Sequence, residues 1–209
     1  MKYIELFSEL KKNKVSLFSL RDVENLFPKK KIKSLKNNLG RWVKMGFFFK
    51  LKRNLYEFVE PGVELYIPDV YIANKLYSPS YVSLETALSI YGLIPDVAMG
   101  VTSMTTRSTR EFKNKHGAFS YRNCQKKAFT GYRLTQYEGF KVFIADTEKA
   151  LVDFIFFAVR RNNPLDFDRE RFNKGIIIKL NWSKISKYSR LFNKKTATAL
   201  QKLRIWAKC

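Results

Sequence analysis

Among residues that could carry acid–base or metal chemistry, the chain is poorly provided. It has one histidine, His116, in a Lys115-His116-Gly117 turn where it is expected to face solvent. Its two cysteines, Cys124 and Cys209, sit neither in a CxxC nor close to a histidine. A His-based triad, a zinc site and a disulfide framework therefore all lack their parts. Asp146, Glu148, Lys149 and Asp153 have the residue types of a metal-dependent nuclease, which needs carboxylates converging on metal-bound oxygens. Glu148 and Asp153, however, are five positions apart, about 140° around a helix, so they diverge. Asp146 is better placed as a helix cap, and Glu148 as a first-turn acid favoured by the helix dipole. The nine glycines form no GxxxxGK[ST] loop. No catalytic residue, metal or cofactor is expected.

Residues suited to nucleic acid are plentiful. In 209 residues, 40 Lys+Arg against 18 Asp+Glu give a net charge of +22 and a pI near 10.0. Charge of this size speaks about partners rather than fold. It is unevenly placed: net +9 over residues 1–60, +2 over 61–170 and +11 over 171–209, the last stretch without a single acid. A lysine-rich proteome would raise charge everywhere. A near-neutral middle between two basic ends argues instead for surfaces that meet phosphate. Asn37 and Arg41 have the bidentate geometry for base edges. Lys30, Lys33, Lys44, Lys50, Lys52 and Arg53 suit phosphates, and Ser34 shares their face. A second nucleic-acid surface is expected at Arg107 and Arg110, and at Lys184, Lys187, Arg190, Lys194 and Lys195 of the tail, meeting DNA or RNA. A solvated basic face and a polar strand end are the bland alternatives for the two regions.

The membrane is the weaker partner. The longest apolar run, around Phe154–Val159, is far below the roughly 20 residues that span a bilayer. The start, Met1-Lys2-Tyr3-Ile4-Glu5, lacks a basic region followed by an apolar core, so no signal peptide is expected and the cytoplasm fits best.

Positioning these residues falls to a predicted α+β chain. Leu6 and Leu10 repeat at helical spacing, predicting a helix over about 2–12. Ser19 with Asp22 makes a capping-box-like start for a short helix to about Phe27. A third helix over about 29–45 stripes Ile32, Leu35, Leu39, Trp42 and Val43 on one face. Lys30, Lys33, Ser34, Asn37, Arg41 and Lys44 fall opposite, and Gly46 ends the helix. Phe47–Lys52, a turn at Arg53-Asn54 and Leu55–Val59 then read as a β-hairpin with a basic tip. Three short helices and a hairpin are the order of a winged helix-turn-helix, whose third helix enters the major groove. Pro61-Gly62 reads as a linker, giving a DNA-binding domain over 1–60 and a second, mixed α/β domain over 61–209. In the second, helices are expected around 69–76 and from Ser83 to Gly92. Strands follow at 100–105, 117–122, 132–135 and 140–144, then a long apolar helix from Asp146 or Thr147 to about Arg161. A basic helical tail from about 171 carries two more helical segments, packed through Leu191, Leu200, Leu203 and Trp206.

Several stretches of the middle carry a resemblance. Tyr81–Pro95, Thr105-Thr106-Arg107, Gly117–Arg122, Gly131-Tyr132 and Ala145–Asp153 stand in this order, and together they resemble the AbiEi family of type IV antitoxins. The N-terminal part is similar too, with Arg53-Asn54-Leu55-Tyr56 where that family usually has Arg-Gly-x-Tyr. The resemblance covers most of residues 15–160. It implies an autorepressor of a phage-defence operon, binding inverted repeats in its own promoter through the winged helix. It also implies an antitoxin that opposes a nucleotidyltransferase toxin, direct contact with which is not required. The alternative is a nucleic-acid-binding adaptor that neutralises its toxin by contact, with non-specific DNA binding incidental.

Overall fold

Ser19 and Asp22 close a reciprocal cap. The Ser19 hydroxyl accepts from the Asp22 amide at 3.2 Å, and the Asp22 carboxylate accepts from the Ser19 amide at 2.6 Å. This starts α2 (Leu20–Leu26), which follows α1 (Tyr3–Lys12) and a short strand, β1 (Leu17–Ser19). α3 (Ile32–Lys44) then leads to β2 (Phe48–Lys52) and β3 (Leu55–Phe58). The three strands form an antiparallel sheet in the order β1-β3-β2. The computed structural model describes residues 2–60, 62, 66–95, 100–160 and 165–208. It divides into two compact units, Met1–Pro68 and Asp69–Cys209. Pro61 of the expected linker lies outside the described residues, and Gly62 is a turn with φ +76°.

The first unit is held by an aromatic-rich core. Phe48 is fully buried, with its ring centroid 5.0 Å from Phe18, 5.7 Å from Tyr3 and 6.1 Å from Trp42. Such pairs each add about 0.5–1.5 kcal/mol beyond the area they bury. Phe48 thereby joins the hairpin to α1, α3 and β1. α3 turns its buried Leu35, Leu39 and Trp42 inward. It ends in a Schellman motif, with Phe47 N–H to Trp42 C=O at 2.9 Å and Gly46 N–H to Val43 C=O at 3.1 Å. Gly46 has φ +78°, which glycine adopts without Cβ strain. Two expectations for this helix are corrected. Ile32 is not on the core stripe but 51% exposed, because the first turn of α3 overhangs the core. Lys30 precedes the helix, in a turn closed by its amide to Phe27 C=O at 3.0 Å.

The second unit is a mixed α/β domain around a six-stranded sheet in the order β6-β7-β5-β4-β9-β8. Its elements run α4 (Asp69–Leu76), β4 (Ser80–Val82), α5 (Leu84–Ile90), β5 (Val101–Thr105), β6 (Arg110–Asn114) and β7 (Gly117–Asn123). A 3-10 turn (Lys126–Ala128), β8 (Tyr132–Tyr137), β9 (Phe140–Ala145) and α6 (Thr147–Ala158) follow. α7 (Lys174–Lys179), α8 (Trp182–Ser189) and α9 (Lys194–Lys208) complete it. β4 pairs antiparallel with β5 and parallel with β9, and β5 pairs parallel with β7. Together the two units make a chain of mixed helix and strand, compatible with an α+β class. β1, β4 and β6 were not expected. The tail holds three helices rather than two, in which Leu200 and Leu203 are buried. α6 closes at Ala158, and Arg161 lies outside the described residues. No helix among the described residues is long and apolar enough to cross a membrane.

Candidate nucleic-acid interface

Residues 25–56 hold ten lysines and arginines and not one acid. The fold concentrates them around α3 and the β2–β3 hairpin. Lys33, Ser34, Asn37, Arg41 and Lys44 are all exposed on α3, on the side opposite Leu35, Leu39 and Trp42. Lys30 is exposed in the turn just before it. Lys29, Lys31 and Lys36, which periodicity alone did not single out, are exposed there too. None of these cations has a carboxylate partner among the described residues.

The start of α3 works against itself electrostatically. The N-terminus of a helix carries a partial positive charge and favours acids. Here the N-cap is Lys31 with no side-chain cap, the first turn has no acid, and Lys29, Lys30 and Lys33 crowd the same end. Unsatisfied amides, a positive dipole end and four ammonium groups all favour an anion from outside. In the middle of the exposed face stands Gly40. A Cβ built there would meet nothing within 4 Å, so no packing among the described residues accounts for the glycine.

The hairpin presents a second group of cations. Strict alternation from Phe48 would turn Lys50 inward. The register shifts between Lys50 and Lys52, so Leu51 is buried and Lys50 exposed, as a bulge re-aims side chains. Asn54 takes φ +63° in the turn, a conformation asparagine tolerates, and Arg53 beside it is exposed. Lys52 is half-buried and already engaged within the chain.

The residues expected to form a second surface are not of one kind. Arg107 and Arg110 gather on Tyr77, their guanidinium carbons 4.8 and 5.9 Å from its ring centroid, and Arg107 also donates to Ser78 C=O at 3.1 Å. Lys187, Arg190, Lys194 and Lys195 are exposed. Lys184 is occupied, its ammonium 3.0 Å from Asp146 and 3.1 Å from Glu148. Desolvation works against that ammonium, but the two carboxylates outweigh it and raise its pKa.

The four residues with nuclease-like types are each engaged inside the second unit. Asp146 caps α6 through the Lys149 amide at 2.9 Å and accepts from the Tyr188 hydroxyl at 2.7 Å. Glu148 accepts from the Asn181 amide at 3.2 Å. Its desolvation is outweighed by that bond and by Lys184, which hold its carboxyl below the usual range. Lys149 and Asp153 are completely buried and paired with each other. Asp153 also accepts from the Ser83 and Tyr81 hydroxyls at 2.8 and 3.0 Å, and Lys149 donates to Tyr81 at 2.9 Å. Burial raises the Asp153 pKa, opposed by the Lys149 charge and these bonds. Because Ser83 turns its hydroxyl to Asp153, α5 draws its cap from elsewhere: the Thr86 amide donates to the Thr102 hydroxyl at 3.1 Å. Burial pushes the neighbouring Cys124 thiol up to about 11, so it stays protonated. His116 does not face open solvent as expected. It is 19% exposed and lies 3.8 Å from Asp69.

No protein-family model matches the chain, and no curated protein sequence matches it. Among solved structures, the crystal structure of the Rv2827c protein from Mycobacterium tuberculosis is similar. The TM-score is 0.64 at 8% identity, over 97% of this chain and 76% of that one. At so low an identity the likeness is one of fold, which the two proteins share across both units of this chain.

Proposed function

We propose that the first unit is a winged helix-turn-helix that binds operator DNA in the chain's own promoter, and that the protein is the autorepressing antitoxin of an AbiE-like type IV toxin–antitoxin system. The observation that carries the DNA-binding reading is the acid-free cationic face of α3, whose N-terminus gathers lysines that have no carboxylate partner among the described residues. The element order α1-β1-α2-α3-β2-β3 with sheet order β1-β3-β2 supports the winged-helix reading. In it, α3 lies in the major groove with Asn37 and Arg41 at base edges. Lys30, Lys33, Lys44, Lys50 and Arg53 meet phosphates, and the hairpin rests on the backbone. The antitoxin role, with a nucleotidyltransferase toxin as functional partner, rests on the resemblance of the middle segments. In this reading Asp146, Glu148 and Asp153, the nuclease-like carboxylates of the second unit, serve caps and buried bonds.

The test is fluorescence anisotropy with the DNA upstream of the chain's own gene against a scrambled duplex, at two salt concentrations. A preference of about a thousandfold or more at physiological salt is expected of a specific regulator. Equal affinities that collapse together as salt rises would leave only a sequence-indifferent electrostatic contact, as in the adaptor alternative.

A further inference from the structure

We propose that a cleft of the second unit, between the 3-10 turn after β7, the end of α6 and the α8–α9 connection, binds a nucleotide: phosphate on Arg160 and Lys127, base against the Phe156–Phe192 pair. The cleft has a volume of about 450 Å³, inside the range of small-molecule sites. Its lining contains two cations and no carboxylate. Both cations are exposed, and neither has a carboxylate partner among the described residues.

The aromatic part is fixed in place. The Phe156 and Phe192 ring centroids are 4.5 Å apart. Phe192 is further held beside the buried Lys149 ammonium, 5.1 Å from its centroid, and the Arg160 guanidinium lies 5.3 Å from the Phe156 ring. A guanidinium supported on an aromatic face keeps its N–H groups for an oxyanion, and paired charge-assisted bonds to phosphate are the strongest it makes. The side-chain amide of Gln125 adds a donor and an acceptor for a base edge. Asn193, whose Oδ1 caps α9 by accepting from the Thr196 amide at 2.9 Å and hydroxyl at 3.0 Å, adds only its amino group. An inorganic anion would use the cations alone, and an apolar ligand the rings alone. A phosphate joined to a planar polar heterocycle uses both. This chemistry is supplied by a free mononucleotide or by the terminal nucleotide of a strand.

Isothermal titration calorimetry of the full chain separates the sources. The probes are the four ribonucleoside mono- and triphosphates, a 5′-phosphorylated single-stranded octaribonucleotide, ribose 5-phosphate and inorganic phosphate. Arg160→Gln and Lys127→Gln remove the cations at exposed positions, Lys113→Gln on β6 serves as control, and thermal melting checks the fold of each. Sub-millimolar binding of a mononucleotide, weakened about tenfold or more by Arg160→Gln and Lys127→Gln but not by Lys113→Gln, is the expected result. Binding of the octaribonucleotide alone, with the same pattern of loss, assigns the site to a strand end. The proposal is overturned if no mononucleotide binds and Arg160→Gln leaves octaribonucleotide affinity unchanged. Ribose 5-phosphate or inorganic phosphate binding as tightly as the nucleotides overturns it equally. DNA binding by the first unit is untouched by either result.

Discussion

Gly40→Ala separates what α3 needs for folding from what it needs for a ligand. Gly40 is the ninth of thirteen residues in the helix, well inside both ends. Glycine in a helix interior is less favourable than alanine by about 0.8–1.0 kcal/mol, largely through backbone entropy. Gly40 is exposed, its φ is not positive, and an added Cβ meets no atom within 4 Å, so no steric term offsets that gain. The variant should therefore stabilise the helix by about 1 kcal/mol, which is about a fivefold slower opening-limited exchange of the α3 amides. Hydrogen exchange by mass spectrometry on a peptide spanning α3 reads this directly, without assuming that the two units unfold together. The same methyl stands on the exposed side, one turn from Asn37 and one turn from Lys44. If that side lies in a groove with backbone close to DNA, affinity for operator should fall about tenfold or more, although the helix is more stable. Faster exchange in Gly40→Ala would refute the helix geometry. Slower exchange with unchanged affinity would refute the close approach of DNA to this face.

Arg41→Ala should reduce the preference for the chain's own upstream DNA over a scrambled duplex by about 1–3 kcal/mol, measured by competition anisotropy; an unchanged preference would take Arg41 away from the bases. In the buried cluster, Asp153→Asn alone should cost about 3–5 kcal/mol in urea denaturation by stranding the Lys149 charge. The double variant Lys149→Met/Asp153→Leu should then cost less than the separate Lys149→Met and Asp153→Leu changes added, whereas strict additivity would deny the pairing. The Glu148 carboxyl is held below its ordinary 4.5, so its stabilising effect is complete above that pH and is lost as pH falls through the folded value. Glu148→Gln should lower stability at neutral pH by only a few tenths of a kcal/mol, because the pair is partly solvated, and should flatten the acid limb of the stability curve below about pH 4.5. In a Cys209→Ser chain, alkylation of Cys124 at pH 8 should be about a hundredfold slower than in the urea-unfolded protein, following the scarcer thiolate; equal rates would show the thiol to be open.

What could be read from sequence was whatever repeats over a helical turn or carries its own punctuation. The Ser19–Asp22 cap, the Leu35, Leu39 and Trp42 stripe, the Gly46 stop and the Asn54 turn are local signals, and each is where its local physics places it. The elements that escaped are too short for a period to show. β1 and β4 have three residues each, and β4 is a strand only because β5 and β9 lie on either side of it. β6 alternates weakly and pairs only with β7 at the sheet edge. Ile32 fits the helical stripe by angle, yet the period says nothing of where the core ends. The cationic face was legible through its residue types. Lys29, Lys31, Lys36 and Gly40 were not, because the signal there is an absence, a run of 32 residues without an acid. The convergence of Tyr81, Ser83, Lys149 and Asp153 is a tertiary fact: the halves of the cluster are nearly seventy residues apart, and no spacing rule joins them.

Those two sets of charges show why function is assigned to one and structure to the other. Lys149 is what a lysine looks like when the fold itself needs the charge. It is completely buried, bonded to Asp153 and Tyr81, and its removal would leave a carboxylate without a counter-charge. Lys184 is the same case nearer the surface, tying α8 to the first turn of α6 through Asp146 and Glu148. The lysines around the start of α3 have the opposite character. They sit at the helix end whose dipole repels them, beside one another, with no carboxylate in the intervening sequence to relieve them. Local features that oppose folding, and that nothing among the described residues offsets, are where a ligand is expected to supply the missing term. A phosphate at the start of α3 would satisfy amides, dipole and ammonium groups at once, and Gly40 two turns further on leaves room for backbone to approach. The unfavourable electrostatics of the free helix and the affinity proposed for the bound one are thus the same interaction, counted before and after the anion arrives.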